Sequence, residues 1–203
     1  MAYSIIQPPF TLKFPEMSKP DLKAYYEWFS KMLPERIAEL EAEVRRSTSH
    51  TTWNADFTRE SFDALGDWFA GQVETRPRSA EELASIKGRS SIPIKVSESE
   101  LTNRTFSLAM DIGMYLGKAV LTNVPGTRWE QVLVNNKHAD YGQAVVTAGG
   151  PVPMNPVDLL VTLSYGIAQK RKSGGRLREL YDIWSKNLGE QVVLGGRESQ
   201  GRA

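Results

Sequence analysis

The stretch SLAMDIGMYLGKAV, Ser107 to Val120, decides the fold because it is more apolar than a surface helix needs to be. We expect a nearly central helix over 97–124, which would bury Asp111 against a partner such as Arg104 or a neighbouring tyrosine. At helical spacing, the polar stripe carries Arg104, Ser107, Asp111 and Lys118, and the apolar stripe carries Leu101, Leu108, Ile112, Tyr115, Leu116 and Ala119.

Local signals mark both ends of this helix. Ser97 and Glu100 have capping-box spacing and are expected to open it, and Pro125-Gly126 is expected to stop it. Gly113 and Gly117 form a GxxxG pattern within it. We expect these glycines to allow another helix or strand to approach closely, with no catalytic consequence.

The remaining elements follow from apolar spacing and from caps. Ser18 and Asn155 are predicted to cap helices, and Pro34 is expected to interrupt the first helix so that a second follows. The predicted helices cover about 18–47, 58–74, 79–88, 97–124, 156–173 and 176–188, and the predicted strands cover about 91–96, 128–134 and 142–148. Residues 1–17 should be extended and 195–203 a flexible tail. The sequence predicts a helix-rich α+β fold, a single domain over 18–194 with a small, mainly antiparallel sheet of three to four strands.

Composition narrows the function classes. The chain of 203 residues has no cysteine, which excludes disulfides, thiolate metal sites and a cysteine nucleophile. Lys and Arg total 25 against 24 for Asp and Glu, so the overall charge gives no support for nucleic-acid binding. The sequence has no apolar stretch of about 20 residues and no signal-like start, so we expect a soluble, cytoplasmic protein.

The stretch NNKHADYGQAVV, 135–146, is the first candidate site because it holds one of two histidines between two predicted strands. His138 could act as a general base oriented by Asp140, with Tyr141 donating a hydrogen bond. The same loop could bind a partner, or its polar residues could serve turn geometry alone. We favour a contact surface over a reaction centre. Asp111 is the second candidate, either as a structural ion pair or as a functional carboxylate.

A basic cluster is the third candidate. It could bind an anion or nucleic acid, but three of its cations are expected in the last turn of the helix ending at Gly174-Gly175. The cluster comprises Lys170, Arg171, Lys172, Arg176 and Arg178. A solvated helix end is the simpler interpretation.

Other chemistry is not indicated. The chain has neither GxGxxG nor GxxxxGK[ST] and no ligand spacing for zinc or calcium, so we expect no cofactor and no metal. His50 is expected to be linker. Trp129 and Trp53 are the aromatic residues most expected to serve as surface anchors of a protein interface.

The run from Thr105 to Ala168 contains Asp-Ile-Gly, Tyr-Leu-Gly, Asp-Tyr-Gly-Gln and Asn-Pro motifs in order. It resembles a pattern of uncharacterised bacterial α+β proteins, some of which are similar in type and size to immunity proteins that neutralise one toxin. The resemblance implies no catalytic residue.

Three functions are therefore compatible with the sequence. The first is a non-enzymatic protein-binding module, immunity- or inhibitor-like, whose partner is another protein. The alternative is a small hydrolase or transferase using His138 with Asp140 or Asp111. The third is a nucleic-acid accessory protein acting through 170–178, which the charge balance makes the least favoured. The sequence does not predict an oligomeric state.

Overall fold

A computed structural model describes the backbone of residues 2–88 and 96–200 and the side chains as far as Gly195. Within these ranges the protein has an α+β fold, with two small two-stranded sheets beside the helices. The elements are α1 (Lys19–Arg45), α2 (Ser61–Ala70), β1 (Thr75–Pro77), α3 (Ala80–Gly88), β2 (Ser99–Leu101), α4 (Asn103–Asn123), β3 (Arg128–Gln131), β4 (Ala144–Thr147), α5 (Pro156–Ala168) and α6 (Arg176–Gln200).

Helix α4 is the central element, as its apolar sequence predicts. Its side chains from Ser107 to Gly117 are all buried, and it packs against α1, α5 and α6. The predicted start at Ser97 is wrong, because Ser99–Leu101 pairs with β1 instead and the Thr102 hydroxyl caps the helix. A strand partner more than twenty residues away in sequence therefore prevails over a local capping pattern.

Helix α1 continues through Pro34, so the predicted interruption is wrong. Proline removes one backbone donor, but apolar residues on both sides of it are buried in two core clusters, and Leu33 beside it packs against both. Phe29 on one side and Leu40 on the other are completely buried, and their packing holds the two halves as one helix. Ser18 caps α1, since its hydroxyl accepts a hydrogen bond from the Asp21 amide.

The strands form two antiparallel pairs, β1 with β2 and β3 with β4. The predicted single sheet of three to four strands is wrong for the described residues, where an isolated bridge between Val146 and Met154 adds only one further pairing. Residues 91–95 of the predicted strand 91–96 lie outside the described residues, and Val96 is not in a strand.

The last two helices differ in length from their predictions. Helix α5 ends at Ala168, before the expected 173, and α6 continues to Gln200 where a flexible tail was expected from 195. Val192 packs over Gly126 and Gln191 bonds to the Val152 carbonyl, which ties α6 to the body beyond the predicted end at 188. No helix among the described residues has the length and apolar character required to cross a membrane.

Candidate functional site

The loop that joins β3 to β4 is a series of tight turns. The amides of His138, Tyr141 and Gln143 each donate to the carbonyl three residues earlier. At its base, the Gly142 amide donates to the Val132 carbonyl at 2.7 Å. Gly142 has a positive φ of 78°, and a Cβ there would lie 2.6 Å from a methyl group of Leu22. The base of the loop is therefore closely packed against α1.

Asp140 and Asn155 anchor the loop to α5. The Asn155 side-chain amide donates to Asp140 Oδ1 at 2.8 Å and to Gln143 Oε1 at 3.0 Å. Its carbonyl oxygen accepts from the Asp158 amide, which caps α5 as the sequence predicts. Burial, with the Asp140 charge as a smaller cause, raises the pKa of Asp158. The Asp140 side chain therefore has a structural role, because it anchors the loop to α5.

His138 and Asp140 do not form a catalytic dyad. An oriented general base needs a ring N–H that donates to the carboxylate. Here His138 Nδ1 instead accepts a hydrogen bond from the Asp140 backbone amide at 3.1 Å, so this nitrogen has no proton to donate. Its distance to Asp140 Oδ2 is 3.9 Å, too long for a hydrogen bond. Tyr141 is half-buried and has no side-chain hydrogen bond to His138.

Beside these polar residues the loop exposes two apolar side chains. Leu133 is 51% exposed and Val134 is 98% exposed. We call residues 133–138 the tip. This exposed apolar pair was not predicted, because 128–134 was expected to be strand, whereas β3 ends at Gln131. Three consecutive apolar residues at a strand end, Val132 to Val134, are the signal that could have indicated it.

Asp111 lies in a buried polar centre with Arg36, Tyr3 and Ser107. Arg36 donates to Asp111 Oδ1 through Nε at 2.8 Å and to Oδ2 through Nη2 at 2.7 Å. The Tyr3 hydroxyl donates to the same Oδ2. The prediction that Arg104 pairs with Asp111 is wrong, because Arg104 bonds instead to Glu43 and Gln72. The expectation of a tyrosine partner is correct, although Tyr3 lies far away in sequence.

The centre also fastens the N-terminal segment to the helices. Arg36 Nη1 donates to the Ser4 carbonyl, and the Ile6 amide donates to the Ser107 hydroxyl at 2.8 Å. Burial raises the pKa of Asp111 to about 6, although the Arg36 guanidinium and the Tyr3 hydroxyl act to lower it. Asp111 has no exposed side-chain surface, and no ion pair or hydrogen bond joins it to His138.

The basic cluster lies at the turn between α5 and α6. Because α5 ends at Ala168, the placement of Lys170, Arg171 and Lys172 in its last turn is wrong. Lys170 has a left-handed φ of 55°, which turns the chain so that the Arg171 and Lys172 amides donate to the Gly166 carbonyl. Arg176 pairs with Glu179, and Arg178 pairs with Asp63.

Of the two tryptophans expected as surface anchors, Trp53 is buried and Trp129 is partly buried. Trp53 is buried and its indole N–H donates to the Ser61 carbonyl at 3.0 Å. Trp129 packs edge-on against Phe29 and lies over Gly117, where a Cβ would overlap the indole ring. Gly113 likewise admits the α5 backbone, so the predicted close approach at both glycines is confirmed. His50 lies in the segment after α1, within 3.4 Å of the Ser47 hydroxyl.

Within the described ranges no group of three or more His, Cys, Asp or Glu side chains could hold a metal ion. Comparisons with models of protein families, with curated proteins and with solved structures find no significant match to this chain. The geometry of the tip, the buried centre and the basic cluster is therefore the basis for any functional inference.

Proposed function

We propose that this protein is a non-enzymatic protein-binding module, immunity- or inhibitor-like, whose contact surface is the tip. The observation that carries the proposal is the exposure of Val134 and Leu133 side by side on a loop with a closely packed base. Residues Lys137 and His138 border this pair with exposed polar side chains. An apolar centre with a polar border is the usual arrangement of a protein contact surface.

The energetics of the tip favour binding. Fully burying a Val or Leu side chain contributes about 1.5–3 kcal/mol, and in the isolated protein most of this contribution is unused at Leu133 and Val134. A partner would also lose little free energy in ordering the loop, because its turns and its Asn155 anchor already fix it.

The alternative functions have less support. A hydrolase or transferase needs His138 to act with Asp140 or Asp111, but one carboxylate holds the loop and the other is enclosed with Arg36. Nucleic-acid binding needs an extended face of free cations, and two of the five cations in the cluster, Arg176 and Arg178, already form ion pairs. The cytoplasmic location is part of the proposal and rests on the absence of cysteine, which suits a reducing compartment.

The test is a quantitative pull-down of tagged protein from its native lysate, with Leu133→Ser/Val134→Ser as the tip variant. The chain offers a closely matched control, since Val193 and Leu194 on α6 are also adjacent and are 55% and 59% exposed. We expect wild type and Val193→Ser/Leu194→Ser to retain one abundant partner. The tip variant should lose it, because two central apolar contacts together change affinity by roughly a hundredfold.

Two results would contradict the proposal. If no stoichiometric partner is retained by wild type, the protein is not a binding module under those conditions of expression. If the tip variant retains the partner and the α6 control loses it, the contact surface lies on α6 and the tip assignment is wrong.

A further inference from the structure

A cleft between α5 and α6 combines an apolar interior with a cationic border. It has a volume of about 330 Å³, at the small end of the roughly 300–1,000 Å³ typical of small-molecule sites. The apolar side is formed by Leu159, Leu163 and Leu180, and the border carries Arg171, Lys172 and Arg176. Among the described residues, no carboxylate belongs to the lining.

The cations at this border are incompletely neutralised. Arg171 bonds to the neutral side chain of Gln169, and Lys172 forms no ion pair with any described residue. Arg176 shares its charge with Glu179. As the first residue of α6, Arg176 also lies at the positive end of that helix dipole. A negative charge at the mouth of the cleft would therefore be attracted by two cations without acidic partners.

The backbone is shaped to bring these cations together. Lys170 adopts a left-handed φ that a non-glycine residue rarely adopts, and such conformations persist where surrounding contacts enforce them. Here the amides of Arg171 and Lys172 both bond to the Gly166 carbonyl, at 2.9 and 3.1 Å. Gly166 is also required, since a Cβ there would lie 2.7 Å from the Lys172 side chain that crosses it. The turn thus holds two cations against the end of α5.

We propose that this cleft binds a small amphipathic carboxylate, an acid with a medium-length apolar chain. The chain would lie against Leu159, Leu163 and Leu180, and the carboxylate would bond to Arg171 and Lys172 at the border. The site shares no residue with the tip, so the proposal is independent of the proposed protein-binding function.

The test is a titration of the full-length protein with sodium octanoate, in which binding is monitored by heteronuclear NMR and by calorimetry. We expect saturable binding of one octanoate, with shifts of the Gly166, Arg171 and Lys172 amides. Hexanoate is two methylenes shorter and should bind roughly fifteenfold more weakly, because each buried methylene changes affinity by about fourfold. The neutral analogue 1-octanol should also bind about tenfold more weakly.

Two variants with matched controls assign the binding to this cleft. Thr162 is exposed and lines it, so Thr162→Trp should fill it and abolish binding, whereas Thr122→Trp on α4 should not. Arg171→Gln/Lys172→Gln should weaken binding about tenfold, and the control Lys118→Gln/Lys186→Gln should leave it unchanged. Thermal melts check that each variant is folded.

Several results would contradict the proposed carboxylate site. Absence of saturable octanoate binding to wild type overturns the proposal, as does binding that survives in folded Thr162→Trp. Equal affinity for octanoate and 1-octanol, or an unchanged affinity in the Arg171/Lys172 variant, would mean that the cations do not recognise the carboxylate, which also overturns it.

Discussion

Asp111 and Asp140 both fasten separate segments of the chain together, but they do so in very different surroundings. The Asp111 side chain is completely buried, whereas that of Asp140 keeps 22% of its surface exposed. Both Asp111 oxygens accept bonds from Arg36, and one also accepts from Tyr3. Asp140 accepts a side-chain hydrogen bond only from Asn155 among the described residues.

This difference in burial indicates that the centre around Asp111 is structural, whereas the loop that holds Asp140 can still bind a partner. At Asp111 the surrounding groups bond to one another, and the carboxylate itself has no exposed surface that a ligand could contact. At Asp140 the anchor is a hydrogen bond from one neutral side chain, Asn155, and the tip stays exposed. A polar cluster in a sequence is therefore a functional candidate only where folding leaves some of its neighbourhood accessible.

The largest expected effect is at the buried centre. Asp111→Ala should lower the free energy of unfolding by about 3–5 kcal/mol, because it leaves the Arg36 guanidinium buried without a counter-charge. Urea denaturation followed by circular dichroism measures the change. The double variant Arg36→Met/Asp111→Leu should return to within about 1 kcal/mol of wild type, since an apolar pair needs no counter-charge. A loss below about 1 kcal/mol in Asp111→Ala would show that the pair is not buried as described.

The next effect is a dependence on pH from the same carboxyl. The pKa of Asp111 is raised to about 6, above the value of about 3.9 expected in the unfolded chain. The folded state therefore binds this proton more tightly, and its contribution to stability decreases as the pH rises from about 4 to 6. The loss should be at most about 3 kcal/mol.

Other carboxyls also make stability depend on pH, so the comparison must isolate Asp111. Glu82, whose pKa its bonds to Arg76 and Ser79 lower to about 2, changes stability in the opposite direction. The Arg36→Met/Asp111→Leu variant keeps Glu82 and removes Asp111. The stability difference between variant and wild type should therefore widen in favour of the variant from pH 4 to 6. A constant difference would contradict the raised pKa.

How far the sequence predicts these regions depends on how local the contacts are. The caps at Ser18 and Asn155 were predicted correctly, because each involves residues three apart. The charged partner of Asp111 was not predicted, since Arg36 lies 75 residues away and no local pattern connects them. The close packing of the loop base was not predicted either, because the contact of Gly142 with Leu22 of α1 is equally non-local.

The anchor of the loop should have a smaller effect than the buried centre. Asn155→Ala should lower stability by about 2 kcal/mol, because it removes both the α5 cap and the bonds to Asp140 and Gln143. Asp140→Ala leaves the cap intact and should cost about 1 kcal/mol or less. Urea denaturation gives the free energy of unfolding of both variants, and hydrogen exchange of the 132–143 amides should become faster in both. Equal costs would mean that the cap contributes nothing.

The smallest expected effect is at the tip itself. Leu133→Ser/Val134→Ser should change the free energy of unfolding by less than about 0.5 kcal/mol, since neither side chain is buried in the isolated protein. Val146→Ser in the neighbouring strand is the contrast, because Val146 is completely buried and the change should cost about 3 kcal/mol. Both are measured by the same denaturation. If the tip variant is as stable as wild type, a partner that it fails to retain has been lost through the contact surface and not through unfolding. A loss of more than about 1 kcal/mol would instead place Leu133 and Val134 in the core of the protein.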